Sequence, residues 1–194
     1  VLSIPLHGDV KAEVGGAAIQ FDGLVSTGGT IEFPENAQLT FPAGGIVNSE
    51  AGTIAFDVQP QWAGTDPTNN SLVQIRDENT WENTLELVKN NDALRYIIHD
   101  SHGVEYNVNL PIDDWPPGEQ RHVTATWSDS QMALYVNGQL VGQTALDNPL
   151  TFGDSTPVHI GSDFPGASYG GAGGAISGFK LYGRALDAGE VARS

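Results

Sequence analysis

Short runs in which apolar and polar residues alternate recur along the whole chain. Thr53-Ile54-Ala55-Phe56-Asp57-Val58 sets Ile54, Phe56 and Val58 on one face. His122 to Trp127 does the same with Val123, Ala125 and Trp127. Met132, Leu134 and Val136 share a face ahead of Asn137-Gly138, a strong hairpin signal, and Gln139 to Ala145 reads as the returning strand. Side chains repeat every two residues in a strand, so this alternation predicts antiparallel sheets with one buried face. Gly and Pro punctuate the runs, and the spacing predicts roughly a dozen strands. Only Leu186 to Arg193 reads as helical, and briefly.

The middle of the chain predicts a hairpin. Glu82 to Val88 and Ala93 to His99 flank Lys89-Asn90-Asn91-Asp92, which is good turn chemistry. A four-residue loop sets Val88 opposite Ala93, Glu86 opposite Arg95, Thr84 opposite Ile97 and Glu82 opposite His99. Leu85, Leu87, Leu94, Tyr96 and Ile98 then face a core. Val104 to Leu110 reads as a third strand. It adds Tyr106 and Val108 to the apolar face and Glu105, Asn107 and Asn109 to the polar one.

Composition narrows the function. There are 24 acidic residues against 8 basic ones, a net charge of -16. Phosphate backbones need basic patches, so nucleic acid is not an expected partner, and neither is an anionic membrane. A neutral glycan or calcium is compatible. No cysteine is present, which excludes disulfides, thiolate metal sites and thiol nucleophiles. No apolar stretch approaches the roughly 18 residues of a membrane span. No basic start followed by an apolar region marks a signal peptide, and the opening Val1-Leu2-Ser3-Ile4 suggests a domain of something larger. Residues 1–194 read as one domain of a size common for sandwiches.

Four segments, in order, resemble the concanavalin A-like, laminin-G-like domains of bacterial and phage surface proteins. They are Ala18 to Gly23, Gly52 to Pro60, Arg121 to Gly138, and Gly174 to Leu186, which ends Lys180-Leu181-Tyr182-Gly183-Arg184-Ala185-Leu186. The resemblance implies an all-β jelly-roll fold of two antiparallel sheets, one of them concave, with ligand sites there or on rim loops. It also implies a structural calcium, for which Asp9, Asp22 and a Ser177 carbonyl are the candidates. The closing strand of related domains often carries an acidic residue where Ser177 stands.

Three chemistries compete. Glu82 and Glu86 form an E-x-T-x-E pattern that lacks the central Asp of the glycanase E-x-D-x-E strand, and pairing of Glu86 with Arg95 and Glu82 with His99 is the ordinary alternative. Trp62 and Trp81 sit in loop-like sequence, where flat rings stack on sugars, while Trp127 reads as core and Trp115 can go either way. The five histidines lack H-E-x-x-H spacing, the serines lack a G-x-S-x-G elbow, and Gly170-Gly171-Ala172-Gly173-Gly174 lacks the ending of a phosphate loop. Gly161 to Gly174 reads as a long surface loop. The expected function is a non-catalytic, lectin-like module of an extracellular, cell-surface or virion protein that binds a polysaccharide or glycan. Its expected contacts are Trp62, Arg76, Asp77, Trp81, Arg95, His99, Asn107 and Asn109. The alternatives are a structural domain of a virus particle or surface fibre, and a diverged glycanase using Glu82 and Glu86.

Overall fold

The computed structural model describes the backbone of residues 2–3, 13–14, 17–18, 20–22, 25–27, 30–33, 38–163 and 169–194, and the side chains of 33, 39–163 and 169–194. Asp9, the side chain of Asp22 and residues 164–168 of the glycine-rich loop lie outside the described residues. The strands are β1 (Leu2–Ser3), β2 (Glu13–Val14), β3 (Ala17–Ala18), β4 (Gln20–Asp22), β5 (Val25–Thr27), β6 (Thr30–Phe33), β7 (Gln38–Pro42), β8 (Gly52–Pro60) and β9 (Asn70–Ile75). They continue with β10 (Thr84–Asn90), β11 (Ala93–His99), β12 (Glu105–Pro111), β13 (Arg121–Trp127), β14 (Gln131–Val136), β15 (Gln139–Ala145), β16 (Pro157–Ile160) and β17 (Gly174–Tyr182). One short helix, α1 (Ala188–Val191), follows. Its N-terminus is capped by reciprocal Asp187–Glu190 bonds.

Among the described residues two antiparallel sheets make a sandwich, and β2 and β3 pair as a separate two-stranded sheet. The eight-stranded sheet runs β15-β14-β13-β8-β17-β6-β5, with β1 also on β17. The seven-stranded sheet runs β12-β11-β10-β9-β16-β7-β4. Their facing sides meet in one apolar core. Ile54, Phe56, Val123, Ala125, Trp127, Met132 and Leu134 enter it from the first sheet. Leu85, Leu87, Leu94, Tyr96, Ile98 and Val108 enter from the second. The alternation read in the sequence thus points these residues inward. Phe56 stacks on Phe179 at 6.2 Å. The hydroxyl of fully buried Tyr96 donates to the Thr126 carbonyl at 3.3 Å, bridging the two layers. Burial raises its pKa well above the usual tyrosine value.

Two local features set the geometry. Gly52 pairs with Trp127 across β8 and β13, and a Cβ there would sit 2.1 Å from the indole, so only glycine admits this ring. Asn137 and Gly138 both have positive φ, 51° and 74°, which is the hairpin turn the sequence announced.

The central hairpin departs from expectation. It closes through Asn91-Asp92 alone, and β10 pairs with β11 as Asn90↔Ala93, Val88↔Arg95, Glu86↔Ile97 and Thr84↔His99. Asn91 takes φ 52°, a conformation asparagine tolerates better than most residues, and this permits the tight turn. The pairing shifts by an even number of residues, so each side chain keeps its predicted face. We expect Asn91→Ala to cost about 1 kcal/mol, because alanine resists this backbone region. Urea denaturation reads the difference, and an unchanged midpoint would contradict it.

Candidate functional site

The outward face of the seven-stranded sheet carries a continuous polar ladder. β11 and β12 pair as Arg95↔Asn109, Ile97↔Asn107 and His99↔Glu105. Arg95 Nε donates to Asn109 Oδ1 at 2.9 Å, and Asn109 Nδ2 donates to Asn107 Oδ1 at 2.9 Å. Asn107 Nδ2 and Arg95 Nη2 both donate to Glu105 Oε1, at 3.0 and 3.2 Å. His99 follows, with Nε2 3.7 Å from Glu105 and Nδ1 2.8 Å from the Thr84 hydroxyl. Burial holds its pKa below the usual histidine value, with Glu105 pulling the other way.

The loop after β9 brings Trp81 onto the end of this ladder. Asp77 Oδ1 accepts from both the backbone and side-chain nitrogens of Asn79, and Thr80 Oγ1 accepts from the Glu82 backbone. These local turns hold the loop that presents the indole. Hydrogen bonds from Asn79 lower the Asp77 pKa. Trp81 is 59% exposed. The Arg76 guanidinium lies 4.1 Å from its ring centroid, and the His99 ring lies at 5.4 Å. Arg76 Nη1 in turn donates to Glu86 Oε1 at 3.1 Å, and both side chains are buried. Burial raises the Glu86 pKa, and Arg76 opposes the shift.

Seven of the eight expected contacts therefore gather around one face: Arg76, Asp77, Trp81, Arg95, His99, Asn107 and Asn109. Trp62 does not. It is buried, stacks on Trp115 at 6.4 Å and 6°, and donates its indole N–H to the Ala172 carbonyl at 2.8 Å. Loop-like neighbours suggested exposure, but partners distant in sequence enclose the ring. Two pairings are also corrected. Glu86 meets Arg76 and not Arg95. His99 meets Thr84 and Glu105, while Glu82 is exposed and precedes the strand. Glu82 and Glu86 are thus not two alternate positions of one strand face, because β10 begins at Thr84.

Gln74 and His159 are the residues that sequence reasoning missed. They continue the cross-strand row Asn107–Ile97–Glu86–Gln74–His159–Thr40. Both are buried although they face outward from the core. Period-two parity places them there, but nothing local reports that the face is covered. His159 Nδ1 lies 3.0 Å from the Thr40 hydroxyl, and burial, aided by Arg76, pushes its pKa down to about 4.

This yields a pH dependence of fixed sign. The unfolded chain protonates His159 near pH 6.5, while the folded chain resists until about 4. Its contribution is fully present above pH 6.5 and is lost as pH falls toward 4, by roughly 3 kcal/mol. His159→Asn should flatten this slope in denaturation curves at pH 7 and 4.5. Equal slopes in both proteins would refute the assignment.

Among the described residues, no three His, Cys, Asp or Glu side chains group as a metal site. Of the calcium candidates only Ser177 has a described side chain, opposite Asp57 in β8.

Comparison with known proteins bears on this geometry. Residues 33–192 match the laminin G family model Laminin_G_3, described as the concanavalin A-like lectin/glucanases superfamily. No curated protein matches the sequence. Among solved structures, the botulinum neurotoxin serotype D ligand-binding domain in complex with N-acetylneuraminic acid has a TM-score of 0.77 at 12% identity, covering 100% of this chain and 49% of that one. The receptor-binding domain of the C/D mosaic serotype gives 0.77 at 12%, with 100% and 50% covered. The type G receptor-binding domain gives 0.71 at 14%, with 100% and 50% covered. The chain therefore spans about half the length of these structures, and at such identities the likeness is one of fold.

Proposed function

Because the chain belongs to the concanavalin A-like lectin/glucanase superfamily, through its laminin-G-like family, we propose that it is a non-catalytic carbohydrate-binding module whose site is the Trp81 face. The single observation that carries this reading is an exposed indole in contact with Arg76 and His99, beside a ladder of amides. Sugar rings stack their C–H faces on such indoles. Arg95, Asn107, Asn109 and Glu105 supply donors and acceptors at fixed positions for hydroxyl groups. Arg95 bonds Glu105, so the ladder carries little net charge and suits a neutral glycan. One fold neighbour was solved with N-acetylneuraminic acid, so that sugar belongs among the probes. The module would serve a larger extracellular, cell-surface or virion protein.

A glycan array with the purified chain and Trp81→Ala tests this. The ring is mostly exposed, so its loss should cost at most about 1 kcal/mol of stability, chiefly the contact with Arg76. Binding should disappear. A folded wild-type chain that is silent on neutral and acidic sugars would overturn the proposal and favour an assembly role. Hydrolysis of a bound glycan would refute the non-catalytic part.

The structural calcium is a proposal resting on Asp9, Asp22 and Ser177. It predicts a Tm raised by millimolar calcium and lowered by chelator. Identical melting in both removes it.

A further inference from the structure

We propose a second ligand site at one end of the sandwich, distinct from the Trp81 face, that takes a single neutral polyhydroxylated ring. A cavity of about 570 Å³ opens there, between the loop after β8 and the loop before β17. That volume falls within the usual range for small-molecule sites, roughly 300–1,000 Å³. Phe33 and Trp62 supply its apolar wall, and Gln61, Asp66, Thr68 and Asn69 supply its polar side.

The wall is built, not incidental. Trp62 is fixed by its bond to Ala172 and its stack on Trp115. Asn70 Nδ2 donates to the Gly171 carbonyl at 2.8 Å, the Ser71 N–H to Gly170 at 2.9 Å, and the Gln61 N–H to Gly173 at 2.9 Å. The two loops are therefore laced together around the opening. Gly173 has φ 60°, and a Cβ there would lie 3.0 Å from Trp62 Cδ1. The backbone must stay bare at this point for the loop to lie against the indole.

The chemistry of the rim selects the ligand. Asp66 Oδ1 is engaged by the Thr68 N–H and Asn69 Oδ1 by the Asn91 N–H. This orients both side chains. The Asp66 carboxylate, which also takes a side-chain bond from Thr68, keeps further lone pairs as acceptor, and Asn69 Nδ2 as donor and the exposed Gln61 amide as both complete the rim among the described residues. A hydroxyl, which donates and accepts, satisfies such a mixed rim. An anion does not suit it. The charged rim group is the Asp66 carboxylate, and the nearby Lys89 ammonium is consumed by the carbonyls of Asp66, Thr68 and Asn91 at 2.6, 2.7 and 2.6 Å.

The test is a nuclear magnetic resonance titration of the wild-type chain with the methyl glycosides of glucose, galactose, mannose and N-acetylglucosamine. Binding at this site shifts the Trp62 indole N–H and the Asn69 and Asn70 side-chain amides. Asp66→Asn keeps the oxygen that caps the loop, and Gln61→Ala removes an exposed side chain. Each should weaken that binding by about tenfold, the loss expected for one ligand hydrogen bond to a charged or oriented group. Trp81→Ala should leave it unchanged, so failure here is distinguishable from failure of the Trp81 reading. Saturating sugar that moves none of these resonances, or moves only those of Trp81 and His99, would overturn the proposal. So would an affinity equal to that of the wild type in both rim variants.

Discussion

Replacing Lys89 by methionine should lower the stability of the chain by about 3–5 kcal/mol, because three backbone carbonyls lose a charged hydrogen-bond donor. Lys89 lies on β10, and its side chain is fully buried. Its ammonium donates to three backbone carbonyls, two from the loop after β8 and one from the β10–β11 turn. It also stands 5.2 Å from the Trp62 ring. Trp62 stacks on Trp115, and Arg121 of β13 lies 5.4 Å from that second ring. A cation from each sheet thus flanks a pair of indoles that closes one end of the sandwich. Methionine preserves most of the aliphatic volume, so the loss isolates the charged head. Each hydrogen bond to a charged group contributes roughly 1.5–3 kcal/mol, and burial costs the ammonium part of that sum. Urea denaturation at pH 7 measures the result. Trp62 fluorescence should shift red in the folded variant as the loop loosens. A loss under about 1 kcal/mol would mean that the carbonyls find other donors.

Alternation made the core legible. Ile54, Phe56, Val123, Ala125 and Trp127 are inward as read, because period-two patterning has a single physical solution when one face is buried. The same parity placed Arg95, His99, Asn107 and Asn109 together on the opposite face. Register was not legible. It depended on whether Asn91 would accept a positive φ, and no pattern in the strands reports that. The shift changed Glu86's partner from a residue across the β10–β11 turn to Arg76 on the other side of β10. The two loop tryptophans illustrate the other limit. Both stand among turn-forming residues, yet Trp62 is enclosed by Ala172 and Trp115, which lie far along the chain, while Trp81 is left exposed. Local composition cannot separate them, because burial of a loop side chain is decided by what another loop brings to it. The end cavity was invisible for the same reason.

Arg76→Met carries the other large effect, again about 3–5 kcal/mol at neutral pH, because it strands a buried carboxylate. Glu86 sits at 3% exposure and takes a hydrogen bond from Arg76. Burial already raises its pKa, and Arg76 is the main opposing influence. Without the guanidinium the folded-state pKa climbs further above the unfolded value. The folded chain then binds more protons than the unfolded one between those two values, so stability falls as pH rises through that window. The deficit of Arg76→Met should therefore be greatest above the raised pKa and shrink as the pH drops toward the ordinary carboxylate range. Adding Glu86→Gln to Arg76→Met removes the stranded charge, and the double variant should recover much of the loss at pH 7 while losing the pH slope. Both proteins also remove the cation over Trp81, so under the proposed glycan-binding reading both should bind glycan more weakly than wild type, whatever their stability. Denaturation curves of the two variants at several pH values separate these effects. A double variant no more stable than Arg76→Met would show that Arg76 acts through packing and not through the charge of Glu86.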